Sequence, residues 1–91
     1  EPYLFSGTIA DNIRYAMGAA TSDDIIAAAK AVGAHQFIMR LRDGYDTQLD
    51  QGGANLSLGQ RQLLSFARAL VADGKEHLLD QPLLEELAQP R

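Results

Sequence analysis

Ser57, Gly59 and Gln60 sit in the run Asn55-Leu56-Ser57-Leu58-Gly59-Gln60-Arg61-Gln62, just ahead of a stretch with helical periodicity. Ser57 with Gln60 three residues later forms a capping box, in which each side chain bonds the other residue's backbone N–H. The amino end of a helix offers unpaired N–H groups and about half a positive charge, which suits an anion such as phosphate. Gly59, lacking a side chain, would let such a group come close. Ser57 and Gly59 are therefore candidate phosphate contacts. The plainer alternative is that Ser57 is an ordinary helix cap, contributing about 1 kcal/mol and nothing else.

The elements that would position this run read as helices. Thr8 can cap a short helix with Asp11 at its third position, and Ile9, Ile13, Ala16 and Met17 fall on one face before Gly18 ends it. A second helix starts at Thr21 or Ser22, with Ile25, Ala28, Ala29 and Val32 as its stripe and Gly33 as its stop. His35 to Arg42 reads as a third, with Phe37, Ile38 and Leu41 inward. The polar, turn-rich stretch from Tyr45 to Asn55, with Gly52-Gly53, reads as a loop. The helix after Ser57 has a stripe of Leu63, Phe66, Ala67, Leu70 and Val71, with Arg61, Ser65 and Arg68 opposite, and Asp73-Gly74 closes it. Pro82 to Ala88 can form a final helix. Strand signals are weak throughout. The expected fold class is mainly α, a small helical bundle.

Composition narrows the function. At 91 residues the chain is one small domain or a piece of a larger one, and the start at Glu1 without Met suggests a piece. Hydrophobic residues at 46% are too many for a disordered chain. A net charge of −4 argues against a nucleic-acid binder, which should carry a basic face. With no cysteine there is no disulfide or thiolate metal site, and an intracellular setting is permitted. No apolar run approaches the ~20 residues that span a bilayer.

Three separated stretches, in order, resemble the exporter-type ATP-binding-cassette (ABC) ATPases. Glu1-Pro2-Tyr3-Leu4-Phe5-Ser6-Gly7-Thr8-Ile9, followed by Asp11-Asn12-Ile13, looks like the segment after that family's Q-loop glutamine. Tyr45-Asp46-Thr47 through Gln51-Gly52-Gly53-Ala54 resembles the stretch before the signature motif, including the loop that touches coupling helices of the membrane domain. The Ser57 run resembles the signature itself, usually Leu-Ser-Gly-Gly-Gln, and Leu63-Leu64-Ser65-Phe66-Ala67-Arg68-Ala69-Leu70 the helix after it. Leu58 stands where the family usually has glycine. Since helical φ at that position should be negative, the backbone need not suffer. Asp50 and Gln51 replace the commoner Gly-Glu.

The resemblance implies that residues 1–74 are the helical subdomain with its signature motif, without the phosphate-loop α/β core. Residues 75–91 would be a C-terminal helical tail, not contiguous with the rest in the parent. It further implies a second nucleotide-binding domain as partner, with Ser57, Leu58, Gly59 and Gln60 capping that partner's ATP. Tyr3, Leu4 and Phe5, together with Asp50, Gln51, Gly52 and Gly53, would couple to transmembrane helices at the cytoplasmic face of a membrane. ATP and Mg2+ would serve the intact parent, neither expected to bind this chain tightly.

Neither Lys30 nor Lys75 lies in a Gly-x-x-x-x-Gly-Lys-[Ser/Thr] loop. In His77-Leu78-Leu79-Asp80-Gln81, the glutamine stands where the family's catalytic glutamate would be and cannot act as a general base. No ATP hydrolysis is expected of the chain alone. His35 and His77 read as surface or satisfied histidines, and Arg61 and Arg68 as solvated or salt-bridged. Two alternatives stay open: a self-associating helical interaction module, and an ABC-type ATPase outside transport. The Leu4-Phe5-Ser6-Gly7-Thr8-Ile9 segment and the acidic balance speak against the second.

Overall fold

The computed structural model describes residues 4–15 and 17–73. In chain order they form strand β1 (Gly7–Thr8), helix α1 (Ile9–Arg14), α2 (Ser22–Ala31), α3 (His35–Arg40), strand β2 (Gln48–Leu49) and α4 (Leu58–Asp73). Single 3-10 turns at Gly44–Asp46 and Gln51–Gly53 flank β2. The mainly α reading holds. The expectations for Tyr3, Ala16, Gly74 and residues 75–91 fall outside the described residues.

Local chemistry sets the helix starts. Thr8 Oγ1 accepts from the Asp11 N–H at 2.9 Å while Asp11 Oδ2 accepts from the Thr8 N–H at 3.4 Å. At the start of α2, Thr21 Oγ1 likewise accepts from the Asp24 N–H at 3.2 Å and Asp24 Oδ2 from the Thr21 N–H at 2.9 Å. Each reciprocal pair satisfies donors that a helix start otherwise leaves open. At the far end of α2, Gly33 takes φ +81°. There the Ala34 N–H bonds Ala29 O and the Gly33 N–H bonds Lys30 O. These are the two bonds of a Schellman stop, which favours glycine at its left-handed position.

α1 is shorter than its apolar spacing predicts, ending at Arg14 instead of running to Met17. The reason lies at the Asn12 carbonyl, the acceptor for a further turn. It is taken by the Tyr15 N–H at 3.3 Å and by Arg68 Nε at 2.9 Å. The loop before Ser57 also holds more structure than its composition suggests. β1 and β2 pair antiparallel, Gly7 opposite Leu49 and Thr8 opposite Gln48.

α4 packs against α1 and α2. The core comprises Leu4, Ile9, Ile13, Ile25, Ala28, Ile38, Leu49, Leu64, Ala67 and Val71, each at most 2% exposed. The expected α4 stripe is corrected: Leu64, Ala67 and Val71 are buried, while Phe66 is 58% exposed. Leu63, Phe66 and Leu70 instead line one side of an open groove of about 620 Å3, with Ala31 of α2 and the following Val32 on the other. The face carrying Leu64 and Val71 also carries Arg61 and Arg68, at i, i+3, i+7 and i+10. The arginines are therefore half-buried beside the core instead of opposite it. Among the described residues, no helix is long and apolar enough to cross a membrane.

Asn12 is fully buried, and its carboxamide is fully engaged. Its Nδ2 donates to Phe5 O and Thr8 O, both at 3.0 Å, and its Oδ1 accepts from the Phe5 N–H at 3.0 Å and from Arg68 at 3.0 Å. Leucine of similar volume would strand these partners. Asn12→Leu is expected to lower unfolding free energy by about 3 kcal/mol, read from urea denaturation. A loss under about 1 kcal/mol would show that water replaces the carboxamide.

Candidate functional site

The amino end of α4 is open to solvent. Ser57, Leu58 and Gly59 are exposed and Gln60 is half-buried. Ser57 Oγ accepts from the Gln60 N–H at 3.1 Å, and Gln60 Oε1 accepts from the Ser57 N–H at 3.0 Å. The capping box expected from the sequence is thus formed. It leaves the N–H groups of Leu58 and Gly59, the first two helical residues, without partners among the described residues, and the Ser57 hydroxyl proton free to donate. Leu58 keeps negative φ, as expected for helical backbone. Its side chain is 52% exposed.

The chain's two kinds of glycine separate here. A Cβ built on Gly59 meets no atom within 4 Å, and its φ is not positive. Nothing within the described fold requires glycine there, although glycine costs a helix up to about 1 kcal/mol relative to alanine. Gly53 is the opposite case. Its φ is +72°, and a Cβ would lie 2.8 Å from Leu4 Cδ1 and 3.0 Å from Arg61 Cδ. Gly53 serves the packing; Gly59 has open space beside it.

The two segments read as coupling elements meet in space. Leu4 lies in the core at 0% exposure and abuts Gly53, while Phe5 is half-buried. Asp50 and Gln51 are exposed and Gly52 is half-buried. Asn55 pins this loop, its Oδ1 accepting from the Asp50 N–H at 3.1 Å and its Nδ2 donating to Gln48 O at 3.3 Å. Leu4 and Gly53 are therefore foundations, and the outer surface belongs to Phe5, Asp50 and Gln51.

Sequence reasoning missed three residues beside these segments. Arg68 places its guanidinium carbon 5.7 Å from the Phe5 ring centre and 5.2 Å from that of Tyr15. The two rings stand 5.1 Å apart. Tyr15 is 66% exposed, and Asn12 holds the group together from below. Burial lowers the Arg68 pKa, partly offset by Tyr15, yet a guanidinium stays charged at any physiological pH. Arg61 donates from Nη1 to Leu56 O at 2.9 Å and to Gly53 O at 3.4 Å. Both arginines are half-buried and bond backbone carbonyls, which corrects the expectation that they are simply solvated. His35 is satisfied, as expected, with Nδ1 2.6 Å from the Tyr45 hydroxyl, a phenol whose pKa burial raises.

Comparison with known proteins places this geometry. The family profile described as "ABC transporter" matches residues 2–84. An ABC transporter ATP-binding protein of Mycoplasma genitalium is 51% identical over 81 residues, covering 89% of this chain and 14% of the relative. One of Bacillus subtilis is 47% identical over 89% of this chain and 13% of its own. ABC transporter B family member 2 of Dictyostelium discoideum is 49% identical over 89% of this chain and 6% of its own. The chain therefore spans less than a sixth of the curated relatives it matches. Among solved structures, a bacterial Atm1-family ABC exporter with ATP bound superposes with a TM-score of 0.75 at 35% identity. It covers 93% of this chain and 16% of the other. With a family profile spanning most of its length and relatives near half identity, this chain belongs to the ABC transporter family.

Proposed function

We propose that residues 4–73 are the signature-bearing part of an exporter-type nucleotide-binding domain, and that the amino end of α4 caps ATP held by a second such domain. One observation carries the reading: on this exposed helix end the N–H groups of Leu58 and Gly59 have no partner among the described residues, and the described fold does not need glycine at position 59. A terminal phosphate oxygen approaching Gly59 would accept from these groups and from the Ser57 hydroxyl, which keeps its own acceptor role toward the Gln60 N–H. The Atm1-family exporter that this chain resembles was solved with ATP bound, which supports a nucleotide at this family's sites. ATP and its Mg2+ would be held mainly by the phosphate loop of the partner domain, since these 91 residues contain no such loop.

Capping performs work through differential affinity. Two domains that bind ATP better when closed than when open are drawn together by it, and hydrolysis releases them. The surface formed by Phe5, Asp50 and Gln51, founded on Leu4 and Gly53, would pass that motion to the coupling helices of a transmembrane domain; Tyr3 and Gly52 complete the proposed segments. The 91-residue chain alone is expected to show no ATP hydrolysis, and turnover above background by the purified chain would contradict this.

A second reading, self-association, is favoured by the groove of Val32, Leu63, Phe66 and Leu70. Apolar surface of this kind tends to become covered. Sedimentation mass of the chain decides it: a dimer at micromolar concentration supports this reading, and a monomer removes it.

The capping role is tested by opposing signs in one substitution. Gly59→Ala is expected to stabilise the 91-residue chain by roughly 0.5–1 kcal/mol in urea denaturation. In the full-length transporter the same change is expected to lower ATP turnover about tenfold or more, because a methyl group intrudes where the phosphate must approach. Unchanged turnover would contradict the assignment.

A further inference from the structure

Arg61 and Arg68 lie seven residues apart on one face of α4, and each bonds backbone carbonyls of a different neighbouring segment. Near the cap, Arg61 holds Gly53 O and Leu56 O. Two turns further on, Arg68 holds Asn12 O through Nε and Asn12 Oδ1 through Nη2. The segment Leu4–Phe5 touches both places. Leu4 Cδ1 lies where a side chain on Gly53 would stand, beside the Arg61 stem, and the Phe5 ring lies under the Arg68 guanidinium. The Phe5 backbone is itself bonded on both sides by Asn12.

A helix held by apolar contacts alone can turn about its axis at little cost, because dispersion is not directional. Bonds from two planar guanidinium groups to fixed carbonyls are directional, and Arg61 and Arg68 fasten α4 at two heights. Rotation of α4 would break both sets at once and leave half-buried carbonyls without partners. We propose that Arg61 and Arg68 are positioning residues that lock the rotation of α4 to the Leu4–Phe5 segment, so that a displacement of Phe5 and Tyr15 is carried to the N–H groups of Leu58 and Gly59. The inference rests on the reading of that helix end as the phosphate contact, but it concerns transmission within this chain.

The test uses the isotope-labelled 91-residue chain without nucleotide, so its failure is distinct from failure of the capping role. Phe5→Leu keeps an apolar side chain but removes the ring from Arg68. The readout is the displacement of the Leu58, Gly59 and Gln60 amide resonances, measured in the parent chain and in an Arg61→Lys/Arg68→Lys background. Lysine keeps charge and stem but loses the planar fork. The expected result is a displacement at the cap in the parent chain that is lost in the double-lysine background. Equal displacement in both backgrounds, or none in the parent chain, overturns the proposal. A merely structural role would lower the melting temperature without removing the response. If the double variant is unfolded at the measuring temperature, Arg61→Lys and Arg68→Lys are used singly, with Tyr15→Leu as an exposed second perturbation. Each lysine must then at least halve the displacement, and failure to do so also overturns the proposal.

Discussion

The buried carboxamide of Asn12 is the interaction on which the arrangement depends. It joins the extended Phe5 segment and the Thr8 cap of α1, both close by in sequence, to α4 through Arg68, 56 residues away. Each bond is modest by itself, about 1 kcal/mol net for a neutral pair. Their weight comes from burial, since an unpartnered carbonyl or N–H at this depth costs more than the bond contributes. The Asn12 backbone carbonyl adds a second function. By accepting from both Tyr15 and Arg68, it ends α1 and turns the chain outward, which places Tyr15 on the surface over Arg68.

That hub frames the candidate site. α4 is tied to Asn12 at one height and to the Gly53 loop at another, while its amino end is exposed to solvent. The contrast between Gly53 and Gly59 expresses the division between fold and function. One glycine is demanded by left-handed backbone and by the pressure of Leu4. The other has open space and ordinary helical backbone, so nothing in the described fold demands it.

Much of this was legible because it is local. The capping boxes of Thr8, Thr21 and Ser57 join residues three apart, and the Gly33 stop needs only its own turn, so side-chain chemistry along the sequence reveals them. The β1–β2 ribbon was not legible: two residues per strand carry no periodicity, and the pairing spans some forty positions. The arginines were misplaced for a related reason. A charged residue on a helix is ordinarily solvated, and the partner that brings Arg68 inward lies 56 residues away. Phe66 and Leu63 misled in the opposite direction, since apolar spacing cannot tell a face buried in the core from one left along a groove. The signature run itself was identified by resemblance; its residues alone describe only a well-capped helix.

The central claim is that the open end of α4 closes on a triphosphate held elsewhere. An atomic structure of the assembled, ATP-bound transporter containing this segment measures it directly. The account predicts the N–H groups of Leu58 or Gly59 and the Ser57 hydroxyl about 2.7–3.2 Å from a terminal phosphate oxygen bound by the opposite domain. A closed, nucleotide-filled assembly in which this helix end still faces bulk water would contradict it.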